Sequence, residues 1–323
     1  DMGRHANFDA HVQEADRVLV GTAEMDPNCE AAAMLYRLAA QQGSGRAAER
    51  LAMLTAIGVG GEPHWPDALD WLARAAQLGD TNAQRQMVVL APQPRAVARE
   101  GARNVWLRLR NEIEIRHLFA PQRGQVVSDD PRILVLEGFL TLRCAHWLKR
   151  RAEGRLARGM INDAMTGQTR EHPMRTANVA SFPILERDVV VALCQARAEM
   201  VTGVPIALHE PPNVISYLPG QQFEPHFDFF DPLSGHFDEE IALFGQRVLT
   251  CVTYLSRDFE GGETAFPELG LKVKGRPGDC VLFANVDARG DPERRSLHAG
   301  LSPTSGRKWV LSQWLRNKAQ ALV

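Results

Sequence analysis

The sequence has no excess of charge of either sign, no long apolar run and no paired cysteines, and each absence removes a class of function. Lys and Arg number 37 against 39 Asp and Glu, a formal net charge of −2. A balance this even offers no broad attraction to nucleic acid or to an anionic membrane surface. No stretch approaches the roughly 20 apolar residues that a membrane-spanning helix requires. The five cysteines (Cys29, Cys144, Cys194, Cys251, Cys280) are odd in number, scattered and without a CxxC pair, so neither a zinc knuckle nor a disulfide framework is suggested. Reduced, packed thiols are expected. The first residues, DMGRHANFDAHVQEAD, lack the apolar core of a secretion signal, and a cytoplasmic location is the expectation. The opening on Asp1 rather than Met leaves room for sequence upstream. What is present is ordinary soluble composition, 45% hydrophobic and 24% charged over 323 residues. That length admits two domains at roughly 100–200 residues each.

The chain has two grammars. Residues 28–92 are rich in Ala and Leu, contain no plausible strand, and repeat. Ala39-Ala40-Gln41-Gln42-Gly43 returns as Ala75-Ala76-Gln77-Leu78-Gly79, an offset of 36 residues at which Leu35 also matches Trp71, Ala47 matches Ala83, Leu51 matches Met87 and Leu54 matches Leu90. Small residues at fixed positions let helices approach closely, and glycine at the turn ends the first of each pair. Two antiparallel helix pairs are predicted, joined through Gly58–Pro63 and flanked by helices at 8–20 and 96–118. The pattern resembles Sel1-like repeats, relatives of the tetratricopeptide class. Such units carry no chemistry and present a surface to a protein partner, or else cap the next domain.

From Pro131 the pattern changes. Residues 132–136 form a strand candidate, 140–158 and 186–201 read as helices, and short alternating segments follow at 213–218, 222–229, 247–255, 271–274, 279–284 and 307–316. Many short strands after a pair of helices predict an α+β fold, a β-sandwich or barrel buttressed by helices. The expected divisions are a helical repeat region over 1–95, a helical linker over 96–127 that ends in loop, and a catalytic domain over 128–318.

Within that domain Gln222–Phe229 alternates polar and apolar residues. Side chains two apart on a strand face the same way, so His226 and Asp228 share one face and Phe223, Phe227 and Phe229 the other. An imidazole beside a carboxylate is two-thirds of a facial triad, and His298, 72 residues after His226, offers the third ligand from a separate strand. Two histidines and a carboxylate leave three positions open, which suits iron(II) binding an oxoacid and O2. Structural zinc sites are closed and four-coordinate. Ten residues beyond His298, Lys308 falls on one face of 307–316 with Val310, Ser312, Trp314 and Arg316. A cation facing a barrel interior is costly unless an anion pairs with it. The distal carboxylate of 2-oxoglutarate would serve, and a lysine whose amine reaches solvent is the alternative.

Over about residues 131–316 the chain resembles the prolyl 4-hydroxylase α-subunit-like branch of the 2-oxoglutarate and iron(II)-dependent dioxygenases. The resemblance rests on Asn213–Tyr217, Phe223–Asp228, Arg247–Thr250, Tyr254-Leu255, Phe259–Pro267, Gly278-Asp279, Ser296–Gly300, Lys308-Trp309 and Trp314. It implies a double-stranded β-helix, or jelly roll, with His226, Asp228 and His298 holding Fe(II). It implies Lys308 with Tyr254 on the distal carboxylate of 2-oxoglutarate and Tyr217 nearby, and ascorbate as an accessory reductant. Arg247, Trp314 and Arg316 stand where relatives handle a peptide. Simple alternation puts Arg247 on the face opposite Tyr254, so a bulge or strand end is needed to bring it to the pocket. Phe223 occupies a position often held by Tyr, and Arg316 one held by His in some relatives. The segment 231–246, where the substrate loop of the family lies, is acidic through Asp231, Asp238, Glu239 and Glu240. Glu260-Gly261-Gly262-Glu263 reads as a tight structural turn.

The implied reaction consumes 2-oxoglutarate and O2, releases succinate and CO2, and hydroxylates a substrate, which is peptidyl (prolyl or another residue) or an amino acid. No nucleic-acid or membrane partner is expected. One rival is a non-catalytic interaction protein whose repeats recruit partners and whose oxygenase domain has degenerated. Another is a zinc hydrolase on the same three ligands, which has no use for Lys308 and shows no general base beside the triad.

Overall fold

The computed structural model describes residues 2–92, 102–120, 122–162, 169–171 and 173–320. They fall into two compact units, residues up to Ala120 with Pro183–Arg197, and residues from Pro121 to Phe182 with Ala198 onwards. The expected divisions after 95 and 127 do not coincide with this partition.

The first unit holds helices α1 (Met2–Val20), α2 (Cys29–Gln41), α3 (Gly45–Ile57), α4 (Trp65–Gln77), α5 (Thr81–Leu90), α6 (Ala102–Glu112) and α7 (Ile115–Leu118). The internal repeat reappears as two hairpins, α2–α3 and α4–α5, and the 36-residue offset holds at the helix starts. It holds at the caps as well. Asn28 and His64 accept from the backbone N–H of Ala31 and Asp67, and Ser44 and Asp80 from Ala47 and Ala83. Each cap satisfies a donor that the helix start leaves open. The matched alanines, Ala39 with Ala75 and Ala47 with Ala83, are buried, as the close approach of helices requires. The helix expected over 96–118 is described only from Ala102, and 96–101 lie outside the described residues.

Two buried carboxylates sit in this unit, Glu49 and Asp188. Glu49 on α3 accepts from Gln86 Nε2 at 2.7 Å and Asn82 Nδ2 at 3.3 Å, and Gln86 Oε1 accepts the backbone N–H of Val189 at 2.9 Å. Burial pushes the Glu49 carboxyl up to about 7, against a usual value of 4.5, and the opposing pull of Arg50 does not offset it. The folded state therefore holds this proton more tightly than the unfolded chain, so the group costs stability progressively from pH 4.5 to 7 and fully above that window. Glu49→Gln keeps the acceptor oxygen without the charge. It is expected to gain about 2–4 kcal/mol above pH 7, and to lose the decline between pH 4.5 and 7, in urea unfolding followed by helical circular dichroism. An unchanged pH profile would show that Glu49 is solvated in the folded protein.

The second unit contains strands β1 (Arg123–Asp129), β2 (Arg132–Glu137), β3 (Ala157–Arg158), β4 (Met160–Asn162), β5 (Thr169–Glu171), β6 (Asn178–Ser181), β7 (Asn213–Tyr217), β8 (Phe223–His226), β9 (Arg247–Tyr254), β10 (Phe259–Gly261), β11 (Thr264–Phe266), β12 (Leu271–Val273), β13 (Cys280–Ala284), β14 (His298–Gly300), β15 (Pro303–Gly306) and β16 (Lys308–Arg316). Its helices are α8 (Leu142–Glu153), the C-terminal end of α9 (Val189–Thr202), and α10 (Asp238–Phe244). A major sheet runs β1-β2-β13-β9-β16-β7-β6-β3 and a minor one β12-β11-β14-β8, with β10 paired to β15. All pairs are antiparallel. The fold is a double-stranded β-helix. Between the sheets lie Tyr217, Tyr254, Phe259, Phe266, Val281, Phe283 and Val310, with the Phe266 ring of the minor sheet edge-on to Phe283 of the major one at 5.2 Å.

The expected strands are present, β2 longer by one residue and the others shortened by one or more residues at their ends. Residues 123–127, expected to be loop, belong instead to β1, which pairs with β2, as Val126 and Val127 favour although Gly124 sits among them. Short strands such as β10, β11, β14 and β15 have too few residues to show alternation. Cys29, Cys251 and Cys280 are free thiols, and Cys144, Cys194, Cys251 and Cys280 are buried. Among the described residues no helix is long and apolar enough to cross a membrane.

Candidate active site

The minor sheet places the two histidines. In the β8–β14 pair His298 lies directly opposite His226, and the rings stand 4.3 Å apart. The register slips between this pair and the next, Phe223 opposite Gly300. Pro225, which has no N–H for the ladder, sits inside the slip. One consequence corrects the alternation argument. Phe223 is not on the far face with Phe227 and Phe229 but lies flat on the His226 ring, centroids 3.4 Å apart. Phe227 and Phe229 stack on each other at 4.6 Å. Asp228 lies just past the end of β8.

The candidate ligand atoms of His226, Asp228 and His298 all lie within 4.8 Å of one another, and no other such group of His, Cys, Asp or Glu occurs among the described residues. Nε2 of His226 stands 3.7 Å from Asp228 Oδ1, and Nε2 of His298 3.4 Å from Oδ2. Each Nδ1 faces a carbonyl, Glu224 O at 2.7 Å and Ser296 O at 3.0 Å. A carbonyl can only accept, so each Nδ1 carries the proton and each Nε2 presents its lone pair inward. Burial, with the neighbouring His298, pushes the His226 imidazole down to about 3. Burial alone would raise the Asp228 carboxyl. His298, His226, Arg247 and a hydrogen bond from Thr250 together hold it below the usual range. A divalent metal needs neutral imidazole and ionised carboxylate ligands, and the shifts of His226 and Asp228 both run that way.

A second layer, which sequence reasoning missed, orients the carboxylate. Thr250 on β9 donates through Oγ1 to Asp228 Oδ2 at 2.7 Å, and Asn285 Nδ2 donates to Thr250 Oγ1 at 2.8 Å. A hydroxyl in a strand carries no signal of its own, and this one matters only because the sheets bring β9 under Asp228.

Beyond the triad the cavity is lined by Ile215, Tyr217, Thr264, Gly300, Lys308 and Trp314, among others. Lys308, 1% exposed, has the rings of Tyr217 and Tyr254 at 4.7 and 5.8 Å from its ammonium. Burial pushes that ammonium down to about 7, with Glu263 opposing and Lys274 adding to the fall. Arg307 points the other way and donates to Ser216 Oγ at 2.7 Å. Glycine makes the room. A Cβ on Gly262 (φ +68°) would meet the Phe259 ring at 2.9 Å and Lys308 Cδ at 3.3 Å, and one on Gly300 would meet the Tyr217 hydroxyl at 2.8 Å.

The remaining candidates divide. Tyr217 and Trp314 line the cavity. Tyr254 is not part of its lining. Its hydroxyl donates to Val273 O at 2.9 Å, accepts the Thr264 N–H at 3.1 Å and meets Thr264 Oγ1 at 2.9 Å. Thr264, unremarked in the sequence, is the group that faces the cavity there. Arg247 does reach the site, because the β9–β16 register shifts at Leu315/Arg316 and supplies the bulge that alternation demanded. Its guanidinium lies over the Trp314 ring at 4.0 Å and grips Glu210 bidentately at 2.6 and 2.8 Å. Arg316 is spent within the protein, on Glu210, Glu240 and the Gly245 carbonyl.

A jelly roll with two histidines and a carboxylate between its sheets is the frame of a mononuclear metal oxygenase, and comparison with known proteins makes the class specific. Residues 212–316 match the model of the 2OG-Fe(II) oxygenase superfamily. The chain is 34% identical over 211 residues to "Prolyl 4-hydroxylase 1" of Arabidopsis thaliana, which covers 61% of this chain and 73% of that protein. It is 31% identical over 220 residues to "Probable prolyl 4-hydroxylase 7" of the same plant, covering 62% and 67%. A solved structure of the viral collagen prolyl hydroxylase from Paramecium Bursaria Chlorella virus-1, a 2OG complex, aligns over 59% of this chain and 98% of its own at 25% identity and a TM-score of 0.44. The chain belongs to the prolyl 4-hydroxylase family of 2OG-Fe(II) oxygenases and is, as such, an Fe(II)- and 2-oxoglutarate-dependent dioxygenase.

Thr250→Val removes the hydrogen bond to Asp228 while keeping shape and strand propensity. Iron(II) affinity is expected to fall about 10–100-fold, the usual effect of losing an outer-shell partner, with the thermal midpoint little changed. Unaltered affinity would mean that the carboxylate is oriented by its neighbours alone.

Proposed function

We propose that this dioxygenase hydroxylates a residue within a peptide, prolyl in the first place, with Fe(II) on His226, Asp228 and His298 and the distal carboxylate of 2-oxoglutarate on Lys308. The observation that carries the reading is a lysine buried in the same cavity as the three ligands with no carboxylate ion pair among the described residues. An unpaired buried ammonium is costly, and a dicarboxylate reaching from the metal would relieve that cost. Thr264 Oγ1, rather than Tyr254, is the second group for that carboxylate, and Tyr254 holds Thr264 in place. The bound iron supplies the oxidising chemistry, with 2-oxoglutarate and O2 as its cosubstrates and ascorbate as a reductant that keeps it ferrous. The chain's own residues select protonation states, fix the cosubstrate's orientation and exclude water.

A peptide suits the mouth of the site because the polar atoms left open there are donors. Trp314 Nε1 and the Nε and Nη2 of Arg175 are buried and have no acceptor among the described residues, and the Arg175 guanidinium lies over the Phe223 ring at 4.8 Å. Backbone carbonyls flanking the oxidised residue would satisfy them, whereas a free amino acid presents fewer acceptors. Phe223, lacking the hydroxyl often found at its position, sits against His226 and makes that wall of the pocket apolar. The α2–α5 hairpins, as Sel1-like units, would add recognition of a protein carrying the peptide.

Lys308→Ala leaves the metal ligands untouched. It removes a charge-assisted contact of about 1.5–3 kcal/mol, so the KM for 2-oxoglutarate is expected to rise roughly 10–150-fold with iron binding retained. Binding is also linked to protons. With the ammonium at about 7 before the carboxylate arrives and higher after it, affinity is flat below pH 7. Above pH 7 it weakens by up to about tenfold per unit. Lys308→Arg, always charged, is expected to lose that pH dependence. Titrations of oxoglutarate binding from pH 6 to 9 check both points, and a KM unchanged in Lys308→Ala would remove Lys308 from the site.

A further inference from the structure

The acidic segment 231–246 leaves the barrel at Asp231, three residues after Asp228, and rejoins it at Arg247. Its base is closed by a reciprocal pair, in which the Phe230 N–H donates to Gln246 Oε1 at 2.8 Å and Gln246 Nε2 donates to Phe230 O at 2.6 Å. Its outer limb is α10, a 7-residue helix without a side-chain N-cap bond and with no buried residue. A helix so short does not hold together unaided. Something outside it must fix its position.

That contact comes from Arg316, the last residue of β16, which is 5% exposed. Nε donates to Glu210 Oε1 at 2.6 Å, Nη2 to Glu240 Oε1 on α10 at 2.7 Å, and Nη1 to the Gly245 carbonyl at 3.1 Å. The guanidinium also lies over Phe230 at 4.8 Å and Phe244 at 6.0 Å. Just beyond β16, Lys318 Nζ donates to Ala242 O at 2.7 Å and Gln320 Nε2 to Phe244 O at 2.9 Å. Each guanidinium nitrogen of Arg316 is thus bonded within the protein. The same Glu210 carboxylate holds Arg247, whose guanidinium covers the cavity-lining Trp314. The ion pairs run Glu240–Arg316–Glu210–Arg247, from α10 to the cavity wall.

We propose that Arg316 is a positioning residue, a latch that holds α10 beside the site and sets affinity for the peptide through this chain of ion pairs. It does not touch the peptide itself. The inference rests on the peptide-hydroxylase reading for its effect on turnover, and on geometry alone for its effect on α10. Lysine cannot replace it, because one ammonium cannot reach three acceptors in the plane that a guanidinium spans.

The test uses the full chain loaded with iron(II), and Glu240→Gln, Arg316→Gln and the double variant. Glu240 touches neither the ligands nor the cavity. Amide exchange over 238–245 is expected to quicken in both single variants while that of β13 stays unchanged. The KM for a proline-rich peptide should rise about 5–30-fold, as for a partly exposed charged pair, and succinate formation without peptide should be unchanged in Glu240→Gln. The double variant should add little to either single one. Unchanged exchange and peptide KM in Glu240→Gln would overturn the latch. So would additive effects on peptide KM, since they mean that Arg316 acts on the peptide directly. If the unaltered protein leaves the proline-rich peptide intact, the prolyl reading fails, while exchange and its additivity still decide the latch.

Discussion

The site depends on keeping one carboxylate ionised between two packed sheets. Asp228 is 4% exposed, and an isolated charge in that position would take up a proton. The two imidazoles, the Thr250 hydroxyl and the nearby Arg247 guanidinium hold it charged. They come from β8, from β14 and from the first half of β9. The register of both sheets is therefore constrained by the chemistry. A slip of one residue in β14 would turn His298 outward, and a slip in β9 would take Thr250 away from the carboxylate.

Lys308 is the complementary charge, and the fold keeps the two apart. The carboxylate and the ammonium both line the cavity, together with Tyr217 and Thr264, and no ion pair joins them. Glycines at 262 and 300 give the lysine stem and the Tyr217 hydroxyl their space. A small dicarboxylate bridging a metal and this ammonium uses both charges at once, and that arrangement links the jelly roll to oxoglutarate-dependent oxidation.

Much of this was legible in the sequence because strand alternation converts spacing into a shared face. His226 and Asp228, then Lys308 with Trp314, were placed together by a period of two residues. The helix pairs were legible through their offset, which the N-caps at Asn28, Ser44, His64 and Asp80 reproduce. The failures have a common cause. Phe223 moved to the His226 side because Pro225 breaks the ladder, and Arg247 came to lie against the cavity-lining Trp314 through a bulge, which alternation could require but not locate. Thr250, Asn285, Thr264 and Glu210 were invisible because their importance lies in partners far along the chain. Tyr254 was pointed to by the family resemblance, and the register turns its hydroxyl to Thr264 and Val273.

Tracing the fate of O2 tests the central claim most directly. With isotopically heavy O2, iron(II), 2-oxoglutarate and a proline-rich peptide, one heavy oxygen atom should appear in succinate and one in the peptide. Neither should appear with His226→Ala, which lacks a ligand. Equal labelling in His226→Ala, or succinate formed without O2, would contradict an account in which His226, Asp228 and His298 hold the iron.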